Sequence, residues 1–254
     1  MMKETLVYLS EHYRIICYNA QHEHMIVSFD VWRKDRSGFP KDNPSTFFHQ
    51  SNVAHLVIHS SQNDWFLNPD IINARQHLSM FIKPYKRVTA FGFSMGGYGA
   101  LLFSRAIRVN QVVLVSPQIS IFPSQVPFEN RYLEESRLVN PKYDTIAANP
   151  RKGLRGVILF DPSITPDRKH ADIITDIYPK IWKVPLTFGG HPALLAINQA
   201  GLFGKIQKEL LRNRVRPSEI LRLHKLARKV APVYRENIRA YLYNRDIRVC
   251  GQSS

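Results

Sequence analysis

The chain is poor in the residues and segments that define several protein classes. It has only 2 cysteines in 254 residues, too few for a disulfide framework, and neither has a Cys or His neighbour at metal-ligand spacing. No apolar run approaches the roughly 20 residues that a membrane-spanning helix needs, and the N-terminus lacks the apolar segment of a signal peptide. We therefore expect a cytoplasmic protein with no transmembrane segment, metal or cofactor.

Acidic residues are also scarce, and the resulting positive charge is uneven. The 20 Asp and Glu face 35 Lys and Arg, which gives a net charge of +15, and the segment 205–248 alone holds 13 Lys or Arg against 4 Asp or Glu. Such a segment can contact an acidic partner, nucleic acid or an anionic surface. Its apolar residues recur close to helical spacing, however, which favours helices packed on the core with a solvated basic face.

The order of apolar runs predicts an α/β fold, a mostly parallel sheet flanked by helices. Residues 1–204 form the main domain in this interpretation, and 205–254 form a basic helical C-terminal extension packed on or beside it. Two early strands, 13–18 and 25–29, are predicted to pair as a hairpin at the sheet edge. The proline-rich stretch 118–150 lacks clear periodicity and is predicted to be an irregular lid over the site.

One motif carries chemistry, the sequence Gly92-Phe93-Ser94-Met95-Gly96-Gly97. An apolar run at 87–91 precedes it and a helix-like run at 98–105 follows, as a nucleophile elbow requires. A nucleotide-binding turn would instead show G-x-G-x-x-G or a Lys-Ser/Thr pair, which are absent. The elbow places the Ser94 hydroxyl beside a helix N-terminus, and we predict that it is a nucleophile.

A serine nucleophile needs a base and a carboxylate that orients the base. His191 follows a later strand in the loop Phe188-Gly189-Gly190-His191-Pro192 and is the predicted base, while His170 is less suitable because it lies in or beside a helix. The loop after the intervening strand offers two carboxylates. Asp167 is the favoured acid, and Asp161 remains the alternative because either could instead cap a turn or helix.

Two backbone N–H groups should stabilise the negative oxygen of an acyl intermediate. The first predicted donor is Met95, directly after the nucleophile, and the second lies after the strand that ends at Phe29, at Asp30 or Val31. Trp32 and Trp65 each follow a strand end. They either line the substrate pocket or pack in the core or lid.

The order Ser94, then Asp167 or Asp161, then His191, together with the G-x-S-x-G-G elbow, resembles the α/β-hydrolase superfamily over residues 13–204. The resemblance implies a mostly parallel sheet, a Ser-acid-His triad and acyl-enzyme chemistry without a cofactor. The chain differs from the familiar esterases in its predicted oxyanion loop, which reads Ser28-Phe29-Asp30-Val31-Trp32 rather than a His-Gly-Gly sequence.

The sequence therefore predicts a serine hydrolase that cleaves a small-molecule ester, thioester or similar acyl bond. The alternative is an inactive or weakly active binding module with the same fold, whose basic extension docks an acidic partner, a polyanion or a membrane surface. Fold resemblance alone does not separate these two functions.

Overall fold

The computed structural model describes residues 3–251, except the side chains of 246–251, so the end of the predicted extension lies outside the described part. The described residues form eight strands in a single sheet. These strands are β1 (Glu4–Leu9), β2 (Tyr13–Tyr18), β3 (His24–Phe29), β4 (Ala54–Ser60), β5 (Arg87–Phe93), β6 (Gln111–Val115), β7 (Arg155–Phe160) and β8 (Lys180–Pro185).

Helices connect most of these strands. They are α1 (Thr46–Gln50), α2 (Ile71–Phe81), α3 (Met95–Leu102), α4 (Leu133–Leu138), α5 (Thr165–Ile177), α6 (Leu195–Gln199), α7 (Phe203–Leu210), α8 (Pro217–Ala227) and α9 (Pro232–Gly251). None of the helices in the described part is both long and apolar enough to cross a bilayer.

The strand order is β1-β2-β4-β3-β5-β6-β7-β8. From β4 to β8 every neighbouring pair is parallel, while β1 and β2 are antiparallel additions at one edge. The predicted mostly parallel sheet is confirmed. Because the carboxyl ends of parallel strands share one edge, the loops after β3 to β8 all meet there.

The predicted hairpin between the first two apolar runs is wrong. β2 pairs with β1 and β4, and β3 lies parallel to both β4 and β5. The first strand, Glu4–Leu9, was not predicted, because it is an edge strand whose residues remain partly exposed. Adjacent strands in sequence are often neighbours in space, but here β4 inserts between them.

Two apolar cores cover the two faces of the sheet. Alternate residues of β6 point to opposite cores, with Val112 and Leu114 in the first and Val113 and Val115 in the second. Helices α2, α3 and α5 supply the first core, and α6, α7 and α8 supply much of the second. The apolar face of the C-terminal extension is therefore part of the core of the sheet domain.

Candidate active site

The nucleophile elbow occupies the centre of the carboxyl edge, between β5 and α3. Ser94 has φ 47° and ψ −116°, a strained conformation that the hydrogen bond from its N–H to Val115 O helps to hold. A Cβ on Gly92 would lie 2.1 Å from the backbone oxygen of Gly96, and one on Gly96 would lie 2.8 Å from the backbone oxygen of Asp30. Glycine is required at both positions because backbone segments approach so closely.

The structure brings Ser94, His191 and Asp167 together. His191 Nε2 lies 3.2 Å from Ser94 Oγ, and His191 Nδ1 lies 2.7 Å from Asp167 Oδ2. A proton on Nδ1 satisfies both contacts, since Nδ1–H then donates to the carboxylate while Nε2 accepts from the serine hydroxyl. This is the geometry that a general base, its orienting acid and its nucleophile need.

Asp161, the alternative acid, binds backbone groups and makes no contact with the imidazole among the described residues. Its carboxylate is fully buried and accepts hydrogen bonds from the N–H groups of Ser163, Phe188 and Gly190, at 2.9, 3.0 and 2.9 Å. The last two donors belong to the loop that carries His191. Asp161 thus fixes this loop, while Asp167 is the carboxylate that contacts the histidine.

The C-terminal extension also supports the histidine loop. His224 on α8 contacts Thr187 O at 3.0 Å, and Asn237 on α9 donates to Phe188 O at 3.3 Å. The rings of Tyr234 and Tyr241 pack against Phe188, with centroids 5.9 and 5.3 Å away. These contacts connect the basic extension to the site through packing rather than through charge.

The predicted oxyanion donors differ in their availability. Met95 N–H is the first of α3 and has no acceptor within that helix. The N–H of Asp30 already donates to Ile58 O at 3.1 Å, so the prediction is corrected at this residue because a donor bound to the sheet cannot also bind an oxyanion. Val31 N–H has no acceptor among the described residues, and its loop lies against Gly96. Met95 and Val31 are therefore the available pair.

The Asp30 side chain has a structural role in the same loop. Its buried carboxylate accepts from Ser60 N–H at 3.1 Å and from Arg36 Nη1 at 3.3 Å, and it lies 3.2 Å from His59 Nδ1. These contacts neutralise the acidic residue that distinguishes this loop from a His-Gly-Gly sequence. They also hold the backbone after β3 in place beside the elbow.

Neither of the two predicted pocket tryptophans contacts Ser94. Trp65 is fully buried, and its indole Nε1–H donates to Gln118 Oε1 at 3.2 Å. This bond orients the amide so that Gln118 Nε2 donates to Ser94 Oγ, also at 3.2 Å. Trp32 is 39% exposed and donates to Glu135 Oε1 at 2.6 Å. Trp65 therefore supports the site from within the core, and Trp32 borders it.

The stretch 118–150 contributes side chains that the sequence analysis missed. Tyr132, just before α4, places its hydroxyl 3.4 Å from Ser94 Oγ, and its ring packs on Trp65 with centroids 4.6 Å apart. Gln118 follows the end of β6 in the same way that Ser94 follows β5. A signal was available for Gln118, because polar residues just past neighbouring parallel strands meet at one edge.

Arg131 from the same stretch binds the second oxygen of the acid. Its Nη1 lies 2.8 Å from Asp167 Oδ1, and its Nη2 lies 2.6 Å from Glu129 Oε2. The fully buried His170 completes the group: its Nδ1 accepts from Ile119 N–H, so its Nε2–H donates to Glu129, at 3.0 Å. A continuous chain of charged contacts thus joins the lid to Asp167.

The ionisation of this group follows from its contacts. Burial alone would raise the pKa of the Glu129 carboxyl, but hydrogen bonds from Arg131 and His170 outweigh burial and hold the pKa at about 2. The pKa of Asp167 is likewise lowered, since hydrogen bonds and charge from His191 and Arg131 outweigh burial. Burial lowers the pKa of His170, which is neutral at pH 7. Both carboxyls are therefore ionised at neutral pH.

No protein-family model matches the chain, and no curated protein matches it. Solved structures do share its architecture. The capsule O-acetyltransferase of Neisseria meningitidis serogroup A has a TM-score of 0.56 with 14% sequence identity, covering 81% of this chain and 94% of its own.

Two esterases show a similar likeness. One from Pyrococcus furiosus has a TM-score of 0.51 at 11% identity, covering 83% of this chain and 90% of its own. Est1E from Butyrivibrio proteoclasticus has a TM-score of 0.51 at 10% identity, covering 82% and 98%. These likenesses confirm the fold that the elbow motif predicts.

Proposed function

We propose that this chain, which has the α/β-hydrolase fold, is a serine hydrolase that cleaves an ester, thioester or similar acyl bond. The observation that carries the proposal is the continuous contact from Asp167 Oδ2 through His191 to Ser94 Oγ, at 2.7 and 3.2 Å. A neutral imidazole held in this tautomer can accept the proton that makes the serine oxygen nucleophilic.

In the proposed reaction, Ser94 Oγ attacks the substrate carbonyl while His191 Nε2 takes the hydroxyl proton. Asp167 stabilises the imidazolium that forms, and the N–H groups of Met95 and Val31 stabilise the negative oxygen. His191 then returns the proton to the leaving alcohol or thiol, which leaves an acyl group on Ser94. A water molecule releases this group by the same sequence of steps, and the serine hydroxyl is restored.

Acyl transfer to an alcohol is the second candidate. It shares every step up to the acyl-enzyme, and an alcohol then replaces water as the acceptor. The O-acetyltransferase of Neisseria, which has also been solved in complex with CoA, favours including this reaction. Gln118 and Tyr132, both in contact with Ser94 Oγ, would help to define the acceptor position in either reaction.

Fluorophosphonate labelling tests the proposal. The protein should bind one phosphonate on Ser94, seen by intact mass and peptide mapping, and Ser94→Ala should abolish both labelling and turnover of p-nitrophenyl acetate. Ser124→Ala, which changes an exposed serine of the lid, is the matched control and should label normally. Undiminished labelling of Ser94→Ala would assign the nucleophile elsewhere.

Two further results distinguish the alternatives. Failure of the folded protein to label at all would favour the inactive binding module. Labelling with slow hydrolysis that accelerates when alcohols are added, with formation of a new ester, would favour acyl transfer over hydrolysis.

A further inference from the structure

A large polar cavity opens at the same sheet edge as Ser94. Its volume is about 970 Å³, and it lies between the loops after β3 and β4, the start of β2 and the segment from α4 to Tyr143. Drug-sized and cofactor-sized ligands occupy cavities of roughly 300–1,000 Å³. The cavity is therefore large enough for a small organic molecule of one or two rings.

Three connections place this cavity beside the nucleophile. Tyr132 contacts Ser94 Oγ, and the helix that follows it contributes Glu134 and Glu135 to the cavity wall. Glu135 accepts from Trp32, the residue directly after the Val31 oxyanion donor. On the opposite wall, Asp64 precedes Trp65, whose indole orients Gln118 toward Ser94.

Most of the cavity wall is polar, and part of it is already neutralised. Asp64 accepts from Ser60, Asn68 and Phe66, and Arg36 is bound by Asp30 and three backbone oxygens. These two groups stabilise the wall and have little remaining capacity to bind a ligand.

Other polar side chains on the wall remain available. The side chains of Glu11, Gln62 and Glu134 have no hydrogen-bond partner among the described residues, and Asn140 uses only its oxygen, which accepts from Lys142 N–H. Free carboxylates accept hydrogen bonds, and free amides can both donate and accept them. Several hydroxyl groups on a small ring match such a set, because each hydroxyl does both.

The same wall disfavours other ligands. Apolar side chains are few, Leu67, Leu138 and Val139 among them, so a long acyl chain or a bare aromatic ring would leave polar groups without partners. Glu11 and Glu134 would repel a phosphate or carboxylate. A neutral, hydroxyl-rich ligand satisfies both conditions.

These observations lead us to infer that the cavity binds the sugar portion of an O-acylated carbohydrate. The inference rests on the proposed function, with the scissile ester at Ser94 and a short acyl group. Ser94 Oγ forms the new acyl bond as the bond to the sugar oxygen breaks, and His191 gives its proton to that oxygen. The free sugar leaves, and water hydrolyses the acyl-enzyme.

Matched substrates test the inference. The kcat/KM for a monoacetylated methyl glycoside should exceed that for cyclohexyl acetate, a ring of similar size without further hydroxyls, by about 100-fold or more. A panel of acetylated hexosides, pentosides and N-acetylaminosugars would identify the preferred ring. Equal kcat/KM for cyclohexyl acetate and for every sugar ester would overturn the inference.

Variants of the wall give a second test. Gln62→Ala and Glu134→Ala should each raise KM for the preferred sugar ester roughly tenfold and change kcat/KM for p-nitrophenyl acetate by less than about twofold. Gln76→Ala, which removes an exposed amide on α2, is the matched control and should change neither. Loss of turnover for both substrates would indicate a folding defect, which the melting temperature would reveal.

A binding measurement separates this inference from the proposed function. Saturation-transfer NMR with unacylated methyl glycosides and the Ser94→Ala variant should show binding that Gln62→Ala weakens. If the wild type neither labels nor hydrolyses p-nitrophenyl acetate, the proposed function fails, and glycoside binding alone decides whether this is a carbohydrate site. Absence of both binding and sugar selectivity rejects it.

Discussion

The two carboxylates near the histidine loop should separate when each is changed to its amide. In Asp167→Asn, the new amide oxygen can still accept from Arg131, which leaves the amide nitrogen facing His191 Nδ1. Two donors cannot share that 2.7 Å contact, so the imidazole must place its proton on Nε2, where it can no longer accept from Ser94. Loss of the correct tautomer lowers kcat about 10⁴-fold in triads of this kind.

Asp161→Asn acts through stability instead. The Asp161 Oδ1 accepts from Ser163 and Phe188, and Oδ2 accepts from Gly190, all with the carboxylate fully buried. An amide nitrogen must face one of these donors, leaving a buried N–H without an acceptor and removing charge from the remaining bonds. We expect a loss of about 2–4 kcal/mol in the free energy of unfolding.

The assay is kcat for p-nitrophenyl acetate measured beside the melting temperature. Asp161→Asn should lower Tm by roughly 5–12 °C, with a decrease in kcat of about tenfold through displacement of the histidine loop. Asp167→Asn should lower Tm by less than about 3 °C. Asp172→Asn, on the same helix as Asp167 but in an exposed pair with Lys183, is the control and should change neither quantity. A larger kcat loss in Asp161→Asn than in Asp167→Asn would refute the assignment of the acid.

Three more predictions follow from other parts of the fold. Because the pKa of Glu129 is about 2 when folded and near 4.5 otherwise, its charge stabilises the protein above pH 4.5 and this stability, on the order of 3 kcal/mol, is lost as pH falls toward 2; urea unfolding should show no such contribution in Glu129→Gln. Gly92→Ala should cost about 4 kcal/mol or more in the same assay, whereas Gly204→Ala, where a Cβ meets nothing within 4 Å, should stabilise α7 by about 0.5–1 kcal/mol; equal effects would contradict the packing argument. The pair Lys225→Glu and Lys229→Glu should change stability by about 0.5 kcal/mol or less, while salt-sensitive heparin binding lost in that variant would instead assign the basic extension an anionic partner.

Access to Ser94 is the feature of the site most dependent on the lid. The serine is 7% exposed, and Tyr132 and Gln118 contact its hydroxyl. Arg131, next to Tyr132, binds Asp167 at 2.8 Å. Displacement of Tyr132 to admit a substrate would therefore act on a segment that also holds the acid, which couples substrate entry to the geometry of the triad.

Local sequence was sufficient for the elbow and for the type of fold. The turn at Ser94 needs glycine at Gly92 and Gly96 for steric reasons that involve only nearby residues and the adjoining loop, so its motif is visible in the chain. The alternation of apolar strands and helices likewise follows from periodicity within each segment. The strand order was not accessible in this way, since β4 inserts between β2 and β3 through pairing across the sheet.

The division of roles between Asp161 and Asp167 depended on contacts between distant segments. Both residues follow β7, and their spacing permits either to act as the acid. Only the folded chain places backbone donors of the histidine loop on Asp161 and the imidazole itself on Asp167. The availability of Val31 rather than Asp30 as an oxyanion donor was likewise decided by a bond to β4. Sequence determined which residue types were present at the sheet edge, and tertiary packing decided which of their atoms meet, because that depends on long-range geometry rather than on local spacing.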